Sequence, residues 1–158
     1  MDLSRKIEFI LILACFFISV FLLASNSNGL SGFVISSENR IVAPHDFISE
    51  ENIKIYPDKI VLEIENYTIS KYSNSTSMIP VFDSGANGVG IKPKSEDELH
   101  VGDIITFRQN ETLIVHRIIE VGMDGEGWFC ITKGDSNNFR DEKVRFSEVD
   151  SVLVALIY

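Results

Sequence analysis

Leu113-Ile114-Val115-His116-Arg117-Ile118-Ile119-Glu120-Val121 is the stretch on which the fold turns. Its Ile and Val side chains are stiff at χ1 and suit a pleated strand better than a helix. Two polar residues, His116 and Arg117, sit at its centre in apolar company. On the upstream side, Val101-Gly102-Asp103 reads as a turn that launches a strand through Ile104-Ile105-Thr106-Phe107. On the downstream side, Gly122-Met123-Asp124-Gly125 reads as a hairpin-like turn, with Trp128 to Thr132 as the return strand. Further out, Ile60, Leu62 and Ile64 alternate with Val61, Glu63 and Glu65, Tyr67 and Ile69 continue with β-formers, and Val152 to Tyr158 is a last apolar strand. After residue 25 no helical period persists over ten residues, so the chain is expected to be mainly β, with short strands and long loops.

Composition fits one such domain. The 158 residues give room for a single core and a short extra segment, and 45% hydrophobic content excludes a disordered chain. The net charge of −9 speaks against a general nucleic-acid binder, which needs a basic face. Asp2, Arg5, Lys6 and Glu8 cancel, so the whole −9 falls on residues 31–158.

Phe9 to Ala24 (FILILACFFISVFLLA) is free of charge, a little shorter than the ~20 residues a bilayer asks for. Arg5 and Lys6 precede it and no basic residue follows until Arg40, which by the positive-inside rule keeps the N-terminus in the cytoplasm and exports the rest. Residues 1–25 are therefore expected to be a cytoplasmic stub and transmembrane anchor in the cell membrane. A cleaved signal peptide, cut near Ser25 or Ser27, is the competing reading. Residues 26–32 form a polar linker, and residues 33–158 an extracytoplasmic β-rich domain. Cys15 and Cys130 fall on opposite sides of that boundary and are expected to be unbridged hydrophobes.

Ser73-Asn74-Ser75-Thr76-Ser77-Met78-Ile79-Pro80 is dense in hydroxyls at the end of a strand pattern, which by itself marks a turn. A nucleophilic serine also needs a base within reach and donors for an oxyanion. His45 and His100 read as surface residues. His116 lies in an apolar strand, either as a satisfied core histidine or as a base. Asp135 and Asp141, in Thr132 to Asp141 (TKGDSNNFRD), are turn or loop aspartates, and a loop aspartate can orient a histidine.

Four segments in order, Ser75-Thr76-Ser77-Met78-Ile79-Pro80, Val101-Gly102-Asp103-Ile104, Val115-His116-Arg117-Ile118 and Thr132-Lys133-Gly134-Asp135-Ser136-Asn137, resemble the successive boxes of type I signal peptidases. The resemblance runs from about Ile60 to Tyr158. His116 stands where bacterial enzymes carry a dyad lysine, which is similar to the archaeal and endoplasmic-reticulum branch. The resemblance implies a signal-peptidase/LexA-like β-ribbon catalytic domain behind one N-terminal transmembrane helix. It implies Ser77 as nucleophile, His116 as general base and Asp141 as the aspartate required in that branch. Asp135 would shape the site, Ser75 and the Ser77 amide would form the oxyanion hole, and Met78 and Pro80 would border the substrate. It further implies a serine endopeptidase that removes signal peptides from precursor proteins at the membrane, with no metal or organic cofactor. Accessory subunits are left open.

Several features depart from that pattern. Val81 begins a longer stretch, Phe82 to Leu99, whose Asp83-Ser84-Gly85-Ala86-Asn87-Gly88 reads as a loop at the rim of the substrate groove or a surface insertion, and Ser136 replaces the usual Asn. Lys133 is not cast as a dyad lysine. Asn66, Asn74 and Asn110 begin N-x-Ser/Thr sequons, and a glycan on Asn74 would crowd Ser77. Alternatives are a processing protease for one surface or pilin-like substrate, and a non-catalytic binding subunit of the same fold. A self-cleaving LexA-type regulator is disfavoured because no DNA-binding module accompanies the anchor.

Overall fold

The structure, a computed structural model, describes residues 41–158. The expected anchor (1–25), the linker (26–32), the domain start at residue 33 and Cys15 lie outside them. Among the described residues, no helix is long and apolar enough to cross a membrane.

The domain is mainly β, as its alternating and β-branched runs require. Strands β1 (Ile53–Ile55) and β2 (Ile60–Leu62) pair as a small antiparallel sheet. The main sheet holds β3 (Tyr67–Lys71), β4 (Asn87–Ile91), β5 (Ile104–Gln109), β6 (Thr112–Asp124), β7 (Gly127–Lys133), β8 (Lys143–Arg145) and β9 (Val149–Ile157). Its seven strands run in the order β3-β4-β9-β5-β6-β7-β8, with every neighbouring pair antiparallel. Helical structure among the described residues is limited to 3-10 turns at Glu50–Asn52, Glu96–Glu98 and Phe146–Glu148.

Strand alternation divides the core in two. On one face Ile105, Phe107, Ile118, Cys130, Val144, Val149 and Val152 pack together. On the other, Ile104 packs with Met78, Phe82 and Ala86, with Val115 and Leu153 alongside. A fully buried Ile or Phe of this kind contributes about 1.5–3 kcal/mol. Cys130, expected as a small hydrophobe, is a free cysteine in the first cluster. Burial, aided by the charge of Glu148, pushes its thiol up to about 12.

Three sequence expectations change. The alternating run from Ile60 is not continuous: it breaks at Glu65-Asn66, where Asn66 takes a φ of 52°, so β2 and β3 join different sheets. Gly122, Met123 and Asp124 belong to β6, and the turn is Gly125-Glu126, because Gly122 opposes Phe129 and Asp124 opposes Gly127 in the ladder. The segment Asp83 to Gly88 is not merely a surface insertion, since its Asn87 and Gly88 begin β4, inside the sheet between β3 and β9.

β5 and β6 are joined as tightly as β6 and β7. Gln109 pairs with Thr112 across the two-residue turn Asn110-Glu111, both at positive φ (47° and 66°), as the mirror-image hairpin turns demand. The chain from Ile41 to Ile48 is tied to the turn before β5. Asp103, fully buried, accepts hydrogen bonds from the backbone N–H groups of His45 (2.6 Å) and His100 (2.8 Å). The two imidazoles, exposed as expected of surface histidines, stack at 4.5 Å.

Candidate active site

His116 lies in the middle of β6, opposite Ile105 of β5. Alternation points it to the face of the first cluster, together with Ile114 and Ile118, and its neighbours Val115 and Arg117 to the other face. It is buried, at 8% exposure. Its Nδ1 lies 2.6 Å from Oδ2 of Asp141. The Thr132 hydroxyl donates to the same oxygen at 2.7 Å, and the Asp141 amide donates to the Thr132 carbonyl at 2.9 Å. Burial pushes the Asp141 carboxyl up, but the hydrogen bonds from His116 and Thr132 and the charge of the imidazolium outweigh it. The carboxyl is held below its ordinary range.

An ionised carboxylate can only accept, so the Nδ1 that faces it carries the proton. In the neutral ring Nε2 is then the lone-pair nitrogen. It makes no hydrogen bond among the described residues. A nitrogen so placed can accept a proton, and the adjacent carboxylate stabilises the resulting imidazolium.

Ser77 arrives from a different element. It begins the turn that runs through Val81, and Met78, 2% exposed, anchors that turn by packing with Phe82, Ala86, Ile104 and Val115. Met78 is thus buried in the core, and this apolar wedge holds the loop down. Pro80 is exposed, and with Ile79, Phe82, Asp83 and Tyr158 it lines a depression of about 530 Å³. The Tyr158 hydroxyl donates to the Val81 carbonyl at its edge.

The end of β7 brings the two halves together. Arg117 pairs with Lys133, so the next step of the register sets Gly134 abreast of His116. A Cβ on Gly134 would share the face of Thr132 and would stand 2.7 Å from the Ser77 carbonyl oxygen. Only glycine lets the Ser77 backbone approach this closely. Ser136, two residues on, donates its amide to the Ser77 carbonyl at 3.0 Å and its hydroxyl to the Thr76 carbonyl at 2.6 Å. The Ser77 hydroxyl is hydrogen-bonded to Ser75 Oγ at 3.2 Å, and no hydrogen bond joins it to His116 among the described residues. Resting serine–base contacts are commonly loose before substrate binds.

Asp135 faces elsewhere. Its carboxylate receives Nε and Nη2 of Arg117 at 2.8 and 2.7 Å, a two-pronged pair whose side chains are only 3% and 5% exposed. The remaining Arg117 nitrogen donates to the carbonyls of Gly102 (2.8 Å) and Val42 (3.2 Å). Lys133 Nζ donates to the carbonyls of Gly134 and Asn137, so it braces the turn.

The structure thus pairs Ser75 with Ser77 and His116 with Asp141, sets the Ser77 backbone against Gly134 and Ser136 after β7, and joins Asp135 to Arg117. Sequence reasoning passed over Thr132, Arg117, Gly134 and Ser136. Arg117 carried a signal, as a charge inside an apolar strand, and Ser136 another, as the serine in place of the usual Asn. Among the described residues, no group of three or more His, Cys, Asp or Glu side chains converges as a metal site.

No protein-family model matches the chain. Over 68 residues it is 37% identical to signal peptidase I W of Bacillus subtilis (strain 168), a stretch that makes up 42% of this chain and 36% of that protein. The chain therefore matches little more than a third of that relative's length. The match supports a relation to the type I signal peptidases at the level of the family.

Proposed function

We propose that the chain is a membrane-anchored serine endopeptidase that cleaves signal peptides from exported precursors. We place it in the Ser-His-Asp branch of the type I signal peptidases, with the signal-peptidase/LexA-like β-ribbon fold. The observation that supports this reading is the 2.6 Å contact of His116 Nδ1 with Asp141, which leaves Nε2 as the lone-pair nitrogen of the neutral ring. Ser77 Oγ attacks the scissile carbonyl as His116 Nε2 takes its proton. The Ser77 amide and the Ser75 hydroxyl donate to the developing oxyanion. His116 then returns the proton to the leaving amine, and water releases the acyl-enzyme by the same route. Asp141 orients the ring, and Asp135 acts at one remove, by fixing the start of its loop through Arg117. The hydrophobic segment near the N-terminus holds the domain on the outer side of the cell membrane, where precursors emerge at high effective concentration.

Cleavage of a synthetic precursor by the detergent-solubilised full-length protein tests the proposal. Cleavage should be abolished by Ser77→Ala and by His116→Ala. Survival of cleavage in either variant overturns the mechanism. Labelling of Ser77 by a serine-directed acylating probe, without any precursor cleavage, would move the chain to a dedicated processing protease.

A further inference from the structure

The loop that carries Ser77 is bent against its preference. Thr76, a β-branched residue, has a φ of 57°, in the left-handed region that such side chains rarely enter. A conformation of that kind persists only where its surroundings enforce it. Ile79 N–H reaches the Thr76 carbonyl from within the loop at 3.2 Å, and Asp83 accepts from the Thr76 amide at 3.4 Å. The short contact comes from outside the loop, where Ser136 Oγ donates to the Thr76 carbonyl at 2.6 Å.

In a trans peptide the C=O and the following N–H point in opposite directions. Pulling the Thr76 carbonyl toward Ser136 therefore turns the Ser77 N–H away from Ser136. Among the described residues that amide donates to nothing. It is a donor held ready with its direction set from behind.

We infer that Ser136 is a positioning residue whose hydroxyl, by holding the Thr76 carbonyl, aims the Ser77 amide at the oxyanion of the acyl-transfer step. The inference rests on the reading of Ser77 as nucleophile. It assigns a purpose to the one position of the fourth box where serine replaces the usual asparagine. The bond is solvent-exposed, so its contribution to stability is small, while its effect on the transition state is large. Loss of a whole oxyanion donor costs about 100- to 1,000-fold in kcat. Loss of its aim is expected to cost a part of that, on the order of 10- to 100-fold.

The test uses the full-length protein in detergent. In Ser136→Ala, kcat on a synthetic precursor should fall by about 10- to 100-fold with KM unchanged. Affinity for a peptide aldehyde, which presents the oxyanion, should fall in parallel, and Tm should hold. Ser136→Thr keeps the hydroxyl and should restore all of these. A kcat within about twofold of the parent, or a loss carried by KM or by Tm, overturns the inference. A separate readout does not depend on proteolysis: the NMR shift of the Ser77 amide should move in Ser136→Ala and return in Ser136→Thr. An amide that does not move overturns the clamp even if cleavage is confirmed. An amide that moves in a protein that cleaves nothing upholds the clamp while the protease reading fails.

Discussion

His116 and Ser77 are held in different ways. The imidazole stands in mid-strand between β5 and β7, 8% exposed, with its partner Asp141 fixed by the Thr132 hydroxyl and by a backbone bond to the same residue. The hydroxyl sits on a turn secured by one buried side chain, Met78, and by contacts from the loop that follows β7. In the proposed mechanism the base is thus preorganised by the sheet, and the nucleophile is aligned by a neighbouring loop. Disturbing the first should change proton chemistry, while disturbing the second should change geometry at little cost in stability.

Asp141→Asn attacks the base side and should have the largest effect. Asparagine fills the same space but offers Nδ1 an amide that can stabilise no imidazolium, and the ring can settle in the wrong tautomer. A fall of about 10⁴-fold in kcat is expected, with Tm changing little, read by precursor cleavage and thermal melting. A loss of tenfold or less would mean that the pair is structural.

Gly134→Ala attacks the nucleophile side. Its methyl group would meet the Ser77 carbonyl at 2.7 Å, and the loop must retreat. A displacement of this size is worth about 100-fold in kcat. KM should also rise if the loop lines the substrate groove. If Gly134→Ala instead lowered Tm as steeply as a core substitution, the loop would be part of the frame and the contrast between the two sides would fail.

Thr132→Val is the mildest and sharpens the account of Asp141. It removes one hydrogen bond to a charged group, worth about 1.5–3 kcal/mol at neutral pH. The sign with pH follows from the depressed carboxyl. The stability that Asp141 contributes is present above its unfolded pKa of ~3.9 and is lost as pH falls through the lower folded value. Without the Thr132 bond the folded value rises toward the unfolded one. The deficit of Thr132→Val should therefore be full at pH 7 and shrink as pH drops below ~4, as measured by denaturant unfolding at both ends. A deficit independent of pH would assign the loss to packing.

The sequence revealed the two sides unequally. β5, β6, β7 and β9 were legible because Ile, Val and Phe fill them, and His116 stood out as a polar residue in that company. β4 was hidden because Asn87, Gly88 and Gly90, all depleted in strands, break up Val89 and Ile91. Its glycines make room: a Cβ at Gly88 would overlap the Tyr72 ring, and one at Gly90 would lie 2.9 Å from both Ser151 Oγ and Thr68 Oγ1. The six-residue offset from Asp135 pointed to Asp141, and the order of the four boxes to Ser77 and His116. It gave no hint that Asp135 is taken up by Arg117, or that Ser136 grips Thr76, because both depend on how β6, β7 and the Ser77 turn meet in space. Local pattern reports what a residue is next to in the chain, and these contacts span 18 and 60 residues.

His116 and Arg117 are consecutive yet serve opposite faces of one strand. A slip of β6 by a single residue would exchange them, sending a guanidinium into the cluster of Ile105, Phe107 and Cys130 and leaving Asp135 buried without its cation. Such a misfolded form would be far too costly to persist as a quiet, half-active species. The pair thereby acts as a checksum on strand register: a molecule that has folded at all has its imidazole on the right side.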